Sequence, residues 1–527
     1  MTSGHVFVLR ADLLHLQADA WLLPTDAWLS VRDSWVTDTY PELRDQARLL
    51  APAGFGDGSA LAFPLTGYQG LPLPVATAVP SDNRWTPAAI KERVHAFADV
   101  ALREIGPSKA YRPRPLLALP FLGSAGGSAQ DLTAQMTALL NATREVASRQ
   151  QVDVAVVVRD HAAYTLAQRL RRSDPNSWWR RLGDELRAKA EDLGVKARAG
   201  RVVPFLGAGV SMSAGAPSWK ELLTDLAQRL GLSTTQTEQL EDLSLLDQAS
   251  LLETLYMEQA IEPGFRKSIA DQVNVPRYGL APALLASLPS EGAITLNYDN
   301  LFERACEDAE APRFVIPRQT GTGRWLLKLH GDAADPRTIV LTRDDYLGFN
   351  ANREALSSLV KAHLMTHHLL FVGFGLGDDH FHEIVHAVRR ALPEGGRGVM
   401  GTALMVGTNS LQTKAWEGRL AVVSMADEGG RAVDLGETGR RLEVFLDAML
   451  AHATQEHTYL LADKYGASLE ARDQELRTDL LDLVANHDGH GGPVWERVRA
   501  ALEEFGLTER RASGVRPSQT RTGRLSG

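Results

Sequence analysis

Cysteine is almost missing from this chain: Cys306 stands alone among 527 residues. That excludes an internal disulfide and any zinc site built on thiolates, and the chain reads as a cytoplasmic one. Long apolar runs are missing too. No stretch reaches the roughly 18 to 20 residues of a membrane span. The nearest, residues 364–376, is broken by His367 and His368 and reads as a buried strand. The first fourteen residues carry charges and lack a signal-peptide core. There is no basic excess: the formal net charge is −9, which argues against a nucleic-acid coat, and direct nucleic-acid binding is not expected. What is present, 44% hydrophobic and 23% charged residues, is a globular composition in a chain long enough for two or three domains.

Four short apolar runs each end in a tight polar corner. Val202-Val203-Pro204-Phe205-Leu206 leads into Gly207-Ala208-Gly209-Val210-Ser211, and Ala293-Ile294-Thr295-Leu296 into Asn297-Tyr298-Asp299. Leu326-Leu327-Lys328-Leu329 leads into His330-Gly331-Asp332, and Leu369-Leu370-Phe371-Val372 into Gly373-Phe374-Gly375-Leu376-Gly377-Asp378. Runs of this length with helical patterns between them read as parallel strands of an α/β sheet. Ligands of such sheets bind beyond the carboxyl ends of the strands, so the four corners share one crevice. Pro204 removes a ladder donor, so pairing there should be shorter than the apolar run. Gly207 and Gly209 suit close backbone approach to a pyrophosphate, aided by the N-terminus of a following helix. Ser218 and Glu221 form a capping box, and Leu222, Leu223, Leu226 and Leu230 make one apolar stripe that stops at Gly231. Asn297 and Asp299, two apart in an extended corner, can face one pocket, although Asp299 also stands where it could cap the next helix. His330 follows a strand directly, a place that exposes an imidazole at the sheet edge for proton transfer near pH 7.

Taken together and in order, the four corners resemble the sirtuin family over roughly residues 200–425. The resemblance implies that Asn297 positions an attacking oxygen and that His330 contacts or deprotonates a ribose hydroxyl. It implies cofactor contacts from Gly207, Ala208, Gly209, Ser211, Asp299, Gly373, Gly375 and Asn409, with NAD as substrate and no metal. Deacylating sirtuins carry a four-cysteine zinc ribbon and a Gly-Ile-Pro-Asp-Phe-Arg stretch. This chain has one cysteine and reads Gly215-Ala216-Pro217-Ser218-Trp219 there, which leaves the cofactor site without the groove for a protein substrate. The pattern is similar to the sirtuin-like NAD hydrolases of bacterial antiphage defence. It implies cleavage of NAD to nicotinamide and ADP-ribose, with a homo-oligomer and a partner ATPase or phage-derived activator as expected partners. The alternatives are a sensor of NAD or ADP-ribose without turnover, and a deacylase or ADP-ribosyltransferase.

The first segment has its own βα alternation, with strands expected at residues 6–9, 20–23, 116–119 and 154–158, and Thr86-Pro87 and Asp131 opening helices. Val8-Leu9-Arg10-Ala11-Asp12-Leu13 and Leu119-Pro120-Phe121-Leu122-Gly123-Ser124-Ala125-Gly126-Gly127 resemble the first strand and the phosphate loop of a macro domain. Pro24-Thr25-Asp26 departs from that family's Asn-rich ribose corner, so a degenerate module that packs or oligomerises stands beside ADP-ribose binding. The expected organisation is a macro-like α/β domain at 1–172, a linker helix at 173–200 and a sirtuin-like NAD-binding catalytic domain at 201–453 with a helical insert at 222–273. A helical tail at 454–509 and a disordered basic tail at 510–527 follow. His382-Glu383-Ile384-Val385-His386 spells a zincin motif, but Phe381, Ile384, Val385 and Val388 form the buried stripe of that helix and leave both histidines on its flank. The charged linker helix, about Trp178 to Leu193, is expected to end at Gly194, and Trp178-Trp179 reads as a lock between the linker and a neighbouring domain.

Overall fold

The computed structural model describes residues 3–56, 60–106, 112–123, 131–392, 398–407, 410–426, 434–455, 458–469, 471–487 and 492–507. Asn409, the loop residues Ser124 to Gly127 and the basic tail therefore lie outside the described residues. Two sheets organise the chain, both flanked by helices. The first holds β1 (Val6–Arg10), β2 (Ala20–Thr25), β3 (Ala62–Pro64), β4 (Leu73–Ala78), β5 (Leu116–Pro120) and β6 (Asp153–Val158). They lie in the order β1-β6-β5-β2-β4-β3, parallel except for the edge strand β3. The second holds β7 (Val202–Leu206), β8 (Gly292–Thr295), β9 (Phe314–Ile316), β10 (Trp325–Lys328), β11 (His368–Val372), β12 (Gly401–Met405) and β13 (Ala421–Ser424). Its order is β13-β12-β11-β7-β8-β10-β9, and every pair is parallel. The fold is α/β, as the alternation of strand and helix patterns predicts. The direction of progression reverses at β7, between β8 and β11, which puts the ligand crevice of such a sheet there.

Local signals do what their chemistry dictates. Thr86 Oγ1 accepts from the Ala89 N–H, and Asp131 Oδ1 from those of Thr133 and Ala134. Ser218 and Glu221 bond reciprocally at the head of the helix Trp219–Arg229. Pro204 pairs in full register with Leu370 of β11, but β7 meets β8 only at Phe205 and Leu206; the shortening falls on the β8 side alone. Asp26 builds its own turn, its Oδ1 accepting from the Trp28 and Ser30 N–H groups at 2.9 Å each. Gly194 does not stop the linker helix, which runs Gly183–Arg198. A Cβ there would stand 2.5 Å from the Met449 carbonyl oxygen, so this glycine permits close packing against the helix Leu435–Ala453.

That helix ties the two sheets together. Its Asp447, fully buried, lies 2.9 Å from His5 Nε2, accepts at 2.8 Å from Trp179 Nε1 and takes the Arg171 guanidinium on both oxygens. Burial works against the charge, yet Arg171 and His5 hold the carboxyl well below the ordinary range. Two turns earlier, Arg440 bonds Asp153 at the start of β6, while Arg112 bridges Asp153 and Glu443 at 2.8 and 2.7 Å. Around these ions one apolar cluster runs from Phe7 and Trp21 through Trp179 and Leu193 to Phe445, Leu206 and Leu370. Trp179 is thus a lock, as its sequence context suggests. The tail helices Ala471–His487 and Pro493–Glu504 follow a segment whose Tyr459, Leu460 and Tyr465 join the core of the first sheet. Among the described residues no helix is long and apolar enough to cross a membrane.

Candidate active site

At the reversal point of the second sheet a cavity of about 490 Å³ opens, a size that holds a nucleotide-sized ligand. Its lining includes Gly207, Ala208, Ser211, Asn297, Asp299, His330, Gly373 and Gly375, so the structure brings the four corners together. Gly209 lies directly behind, against Gly373. A roof of Trp219, Leu222, Leu245, Leu246 and Val273 covers it, supplied by the helical insert. Arg343 pins that roof through Asp247 at 2.9 and 2.8 Å and Ser244 at 2.8 Å.

The glycines of the first corner serve a purpose beyond the expected one. The Gly207 N–H donates to the Val372 carbonyl and the Gly209 N–H to that of Gly373, at 3.0 and 2.9 Å. A Cβ on Gly207 would come within 2.5 Å of Gly373 O, and one on Gly373, whose φ is +62°, within 2.4 Å of Val210 N. The two corners interlock backbone to backbone, and only glycine fits. Val210 and Ser211 also donate inside the loop, and Ala208 is its exposed residue. No α-helix begins here; two 3-10 turns, Ala208–Val210 and Met212–Ala214, precede the first one at Trp219. The expected helix-dipole contribution to a pyrophosphate site is therefore absent.

Asn297 is oriented without ambiguity. Its Nδ2 donates to the Gly207 carbonyl at 3.1 Å and to Ser211 Oγ at 3.2 Å. A carbonyl only accepts, so the amide nitrogen must face the loop and Oδ1 is left as the acceptor. Ser211, buried, passes its own hydrogen to Asp299 Oδ2 at 2.8 Å. Asp299 Oδ1 accepts the Leu301 N–H at 3.1 Å, so this carboxyl both ties down the turn that enters the helix Leu301–Asp308, whose N-cap residue is Asn300, and anchors the relay. Burial pushes its carboxyl up, only partly offset by Lys328.

Lys328 was not singled out by the sequence argument, although a lysine inside an apolar strand is a signal. It is fully buried, and its Nζ donates to the carbonyls of Tyr298 and Asp299 at 3.0 and 2.6 Å, and to Glu303 and Asp332 at 2.7 and 3.3 Å. Burial opposes its charge, but Glu303, Asp332 and Asp299 outweigh that and hold the ammonium above the ordinary lysine range.

His330 is only 3% exposed, not set out at the sheet edge. The chain after it returns over the ring, with Tyr346 and Phe349 edge-on at 5.5 and 5.7 Å and His380 behind. Burial lowers its pKa to about 4, with Asp378 only partly compensating. It is a neutral imidazole at pH 7, suited to hydrogen bonding and a weaker base than an exposed histidine. Because the folded value lies below the unfolded value of 6.5, this contribution to stability is complete above pH 6.5 and drains away as pH falls towards 4. The gap corresponds to about 3 kcal/mol. Thermal unfolding between pH 7 and 4 should show a steeper loss for the native chain than for His330→Gln; parallel curves would remove His330 from the acid response.

For metal binding, His330, Asp378 and His380 present atoms within 4.8 Å of one another. In the zincin-like motif, His382 Nε2 donates to the Leu376 carbonyl at 2.9 Å and His386 points to solvent. Phe381, Ile384, Val385 and Val388 are buried as expected. Among the described residues no metal-capable group includes either histidine.

Residues 291–417 match the family described as SIR2-like domain, a span that holds Asn297, Asp299, His330, Gly373 and Gly375 but starts after the Gly207 corner. The chain is 31% identical over 208 residues to defense-associated sirtuin 2 of Bacillus subtilis, covering 38% of this chain and 20% of that one. It is 32% identical over 212 residues to the NAD(+) hydrolase ThsA of Enterococcus faecium, covering 38% and 42%, and 30% identical over 194 residues to the ThsA of Bacillus cereus, covering 36% and 40%. The chain thus spans between a fifth and about two fifths of the length of these relatives. Residues 291–417, which carry three of the four corners, are thus similar in sequence to a SIR2-like domain.

Proposed function

We propose that this chain is an NAD(+) glycohydrolase that splits NAD into nicotinamide and ADP-ribose, acting in bacterial antiviral defence by depleting NAD. The observation that carries the reading is Asn297. Its nitrogen is committed to the protein, and its oxygen remains as an acceptor in the same cavity as a neutral, buried His330. In the reaction the bond between nicotinamide nitrogen and ribose C1′ breaks, and its electron pair leaves with nicotinamide. Water held by Asn297 Oδ1 then adds to the oxocarbenium-like carbon, forming the C1′–OH bond and releasing one proton to solvent water. His330 takes a hydrogen bond or proton from a ribose hydroxyl, which spreads the developing charge. Gly375 and the Ala208 amide fit backbone contacts to the rest of the dinucleotide, and Asp299 fits the carboxamide of the leaving group; a ribose contact is assigned to Asn409, which lies outside the described residues. No metal enters this scheme.

The names of the similar proteins, an NAD(+) hydrolase and a defence-associated sirtuin, support the same activity. We also place the enzyme in the cytoplasm, as a homo-oligomer whose resting state is released by a partner ATPase or a phage-derived activator. Residues 1–172 act as a macro-like module that assembles or restrains the catalytic domain. Incubating the purified chain with NAD should release nicotinamide and ADP-ribose in equal amounts, undiminished by a chelator, at a slow resting rate that the activator raises. Binding without any turnover favours a sensor, and labelled or deacylated protein favours a transferase or deacylase; either result, or activity restored only by zinc, overturns the reading.

A further inference from the structure

One nitrogen of His330 faces protein. Its Nε2 lies 3.4 Å from His380 Nδ1 and 3.8 Å from Asp378 Oδ2. The ring of His380 is buried and clamped, stacked on Tyr346 at 4.3 Å and on Phe349 at 3.8 Å, with planes within 18°. Its Nε2 lies 3.0 Å from the Tyr346 carbonyl oxygen. A carbonyl can only accept, so the hydrogen of a neutral His380 sits on Nε2 and its Nδ1 is a bare lone pair. Asp378 is held as firmly, with Oδ1 accepting from the Phe381 N–H at 2.9 Å and Oδ2 from the Tyr346 hydroxyl at 3.0 Å. Two lone pairs facing each other would repel. A hydrogen on His330 Nε2 makes the contact attractive, and the Asp378 carboxylate draws it the same way.

We propose that His380 is a positioning residue that holds His330 in its Nε2–H tautomer, which makes Nδ1 the nitrogen that meets the substrate's ribose hydroxyl. Among the described residues nothing donates to that Nδ1. The proposal rests on the reading of His330 as part of an NAD-cleaving site. It explains why a histidine fifty residues away stacks where a phenylalanine would pack equally well: the ring supplies an acceptor.

The test uses the full chain labelled with ¹⁵N at the histidine rings, with His330 assigned by the loss of its signals in His330→Gln. Two-bond ¹H–¹⁵N spectra should show His330 protonated at Nε2. In His380→Phe, which keeps the stacking and loses the acceptor, both tautomers should appear. The kcat for NAD should fall by roughly 10²-fold while KM stays within about two-fold. His380→Asn, whose amide oxygen can stand in for Nδ1, should recover most of that loss. A metal ion on His330, Asp378 and His380 would take the Nε2 lone pair and push the hydrogen to Nδ1, the opposite spectrum. An Nδ1–H His330 in the native chain, stoichiometric zinc, or an unchanged tautomer and kcat in His380→Phe overturns the proposal. The spectrum requires no turnover, so a chain that fails to cleave NAD sinks the functional reading and leaves the tautomer to be decided on its own.

Discussion

Asn297→Ala is expected to reduce NAD cleavage by roughly 10²-fold or more, the cost of an attacking group that is no longer placed. Its stability cost should be small, about 1–2 kcal/mol, because the half-buried side chain leaves Gly207 O and Ser211 Oγ short of a donor. His330→Ala should be as damaging to turnover, within the roughly 10²- to 10⁴-fold range of lost proton-handling groups. It should also cost more stability. The ring fills space among Tyr346, Phe349 and His380, and the hole left behind is worth about 2 kcal/mol or more. The check is initial rate of nicotinamide release alongside thermal unfolding. Near-normal turnover in either variant would remove that residue from the mechanism, and a fully unfolded Asn297→Ala would contradict the relay geometry.

Lys328→Met should be the most destabilising single change in the second sheet. It strands Glu303 and Asp299 in a buried pocket without a countercharge and leaves Asp332 only Arg318 at 3.5 Å, which costs about 3–5 kcal/mol and lowers the melting temperature by about 6–20 °C. The corner carrying Asn297 and Asp299 would lose its support, since Nζ holds two of its carbonyls, and turnover should vanish with it. Adding Glu303→Gln removes one stranded charge, so the double variant should melt higher than Lys328→Met alone. A melting temperature within a degree of the native chain would show that the lysine supports nothing.

Much of this site was legible in the chain because parallel strands buried on both faces spell continuous apolar runs, and their functional ends are abrupt polar corners. Asn297, Asp299, His330 and the glycines were found that way. The glycines have a further task that stays hidden: nothing local in Gly207-Ala208-Gly209 tells that this loop packs on another backbone, that of Gly373. Lys328 hid in plain view between Leu327 and Leu329, because its partners Glu303 and Asp332 lie on different elements. His380 was masked by the motif beginning two residues later, and its link to His330 exists only after the helix Asp379–Ala391 has packed. The edge strands β3, β9 and β13, of three or four residues, were too short for any periodicity. Gly194 read as a helix stop because its neighbour Met449 is far away in sequence.

The buried carboxylate of Asp447 also sets an order of events on the ribosome. Arg171 and Asp447 are separated by 276 residues, about 15 to 55 s of synthesis at ~5–20 residues/s. During that interval the first sheet has emerged with Arg171 lacking its carboxylate partner and Asp153 holding only Arg112, so its packing is completed only when the helix Leu435–Ala453 arrives. The chain therefore closes late and as one piece, and a truncated product that stops before residue 435 has neither a settled first sheet nor the strap that joins it to the second.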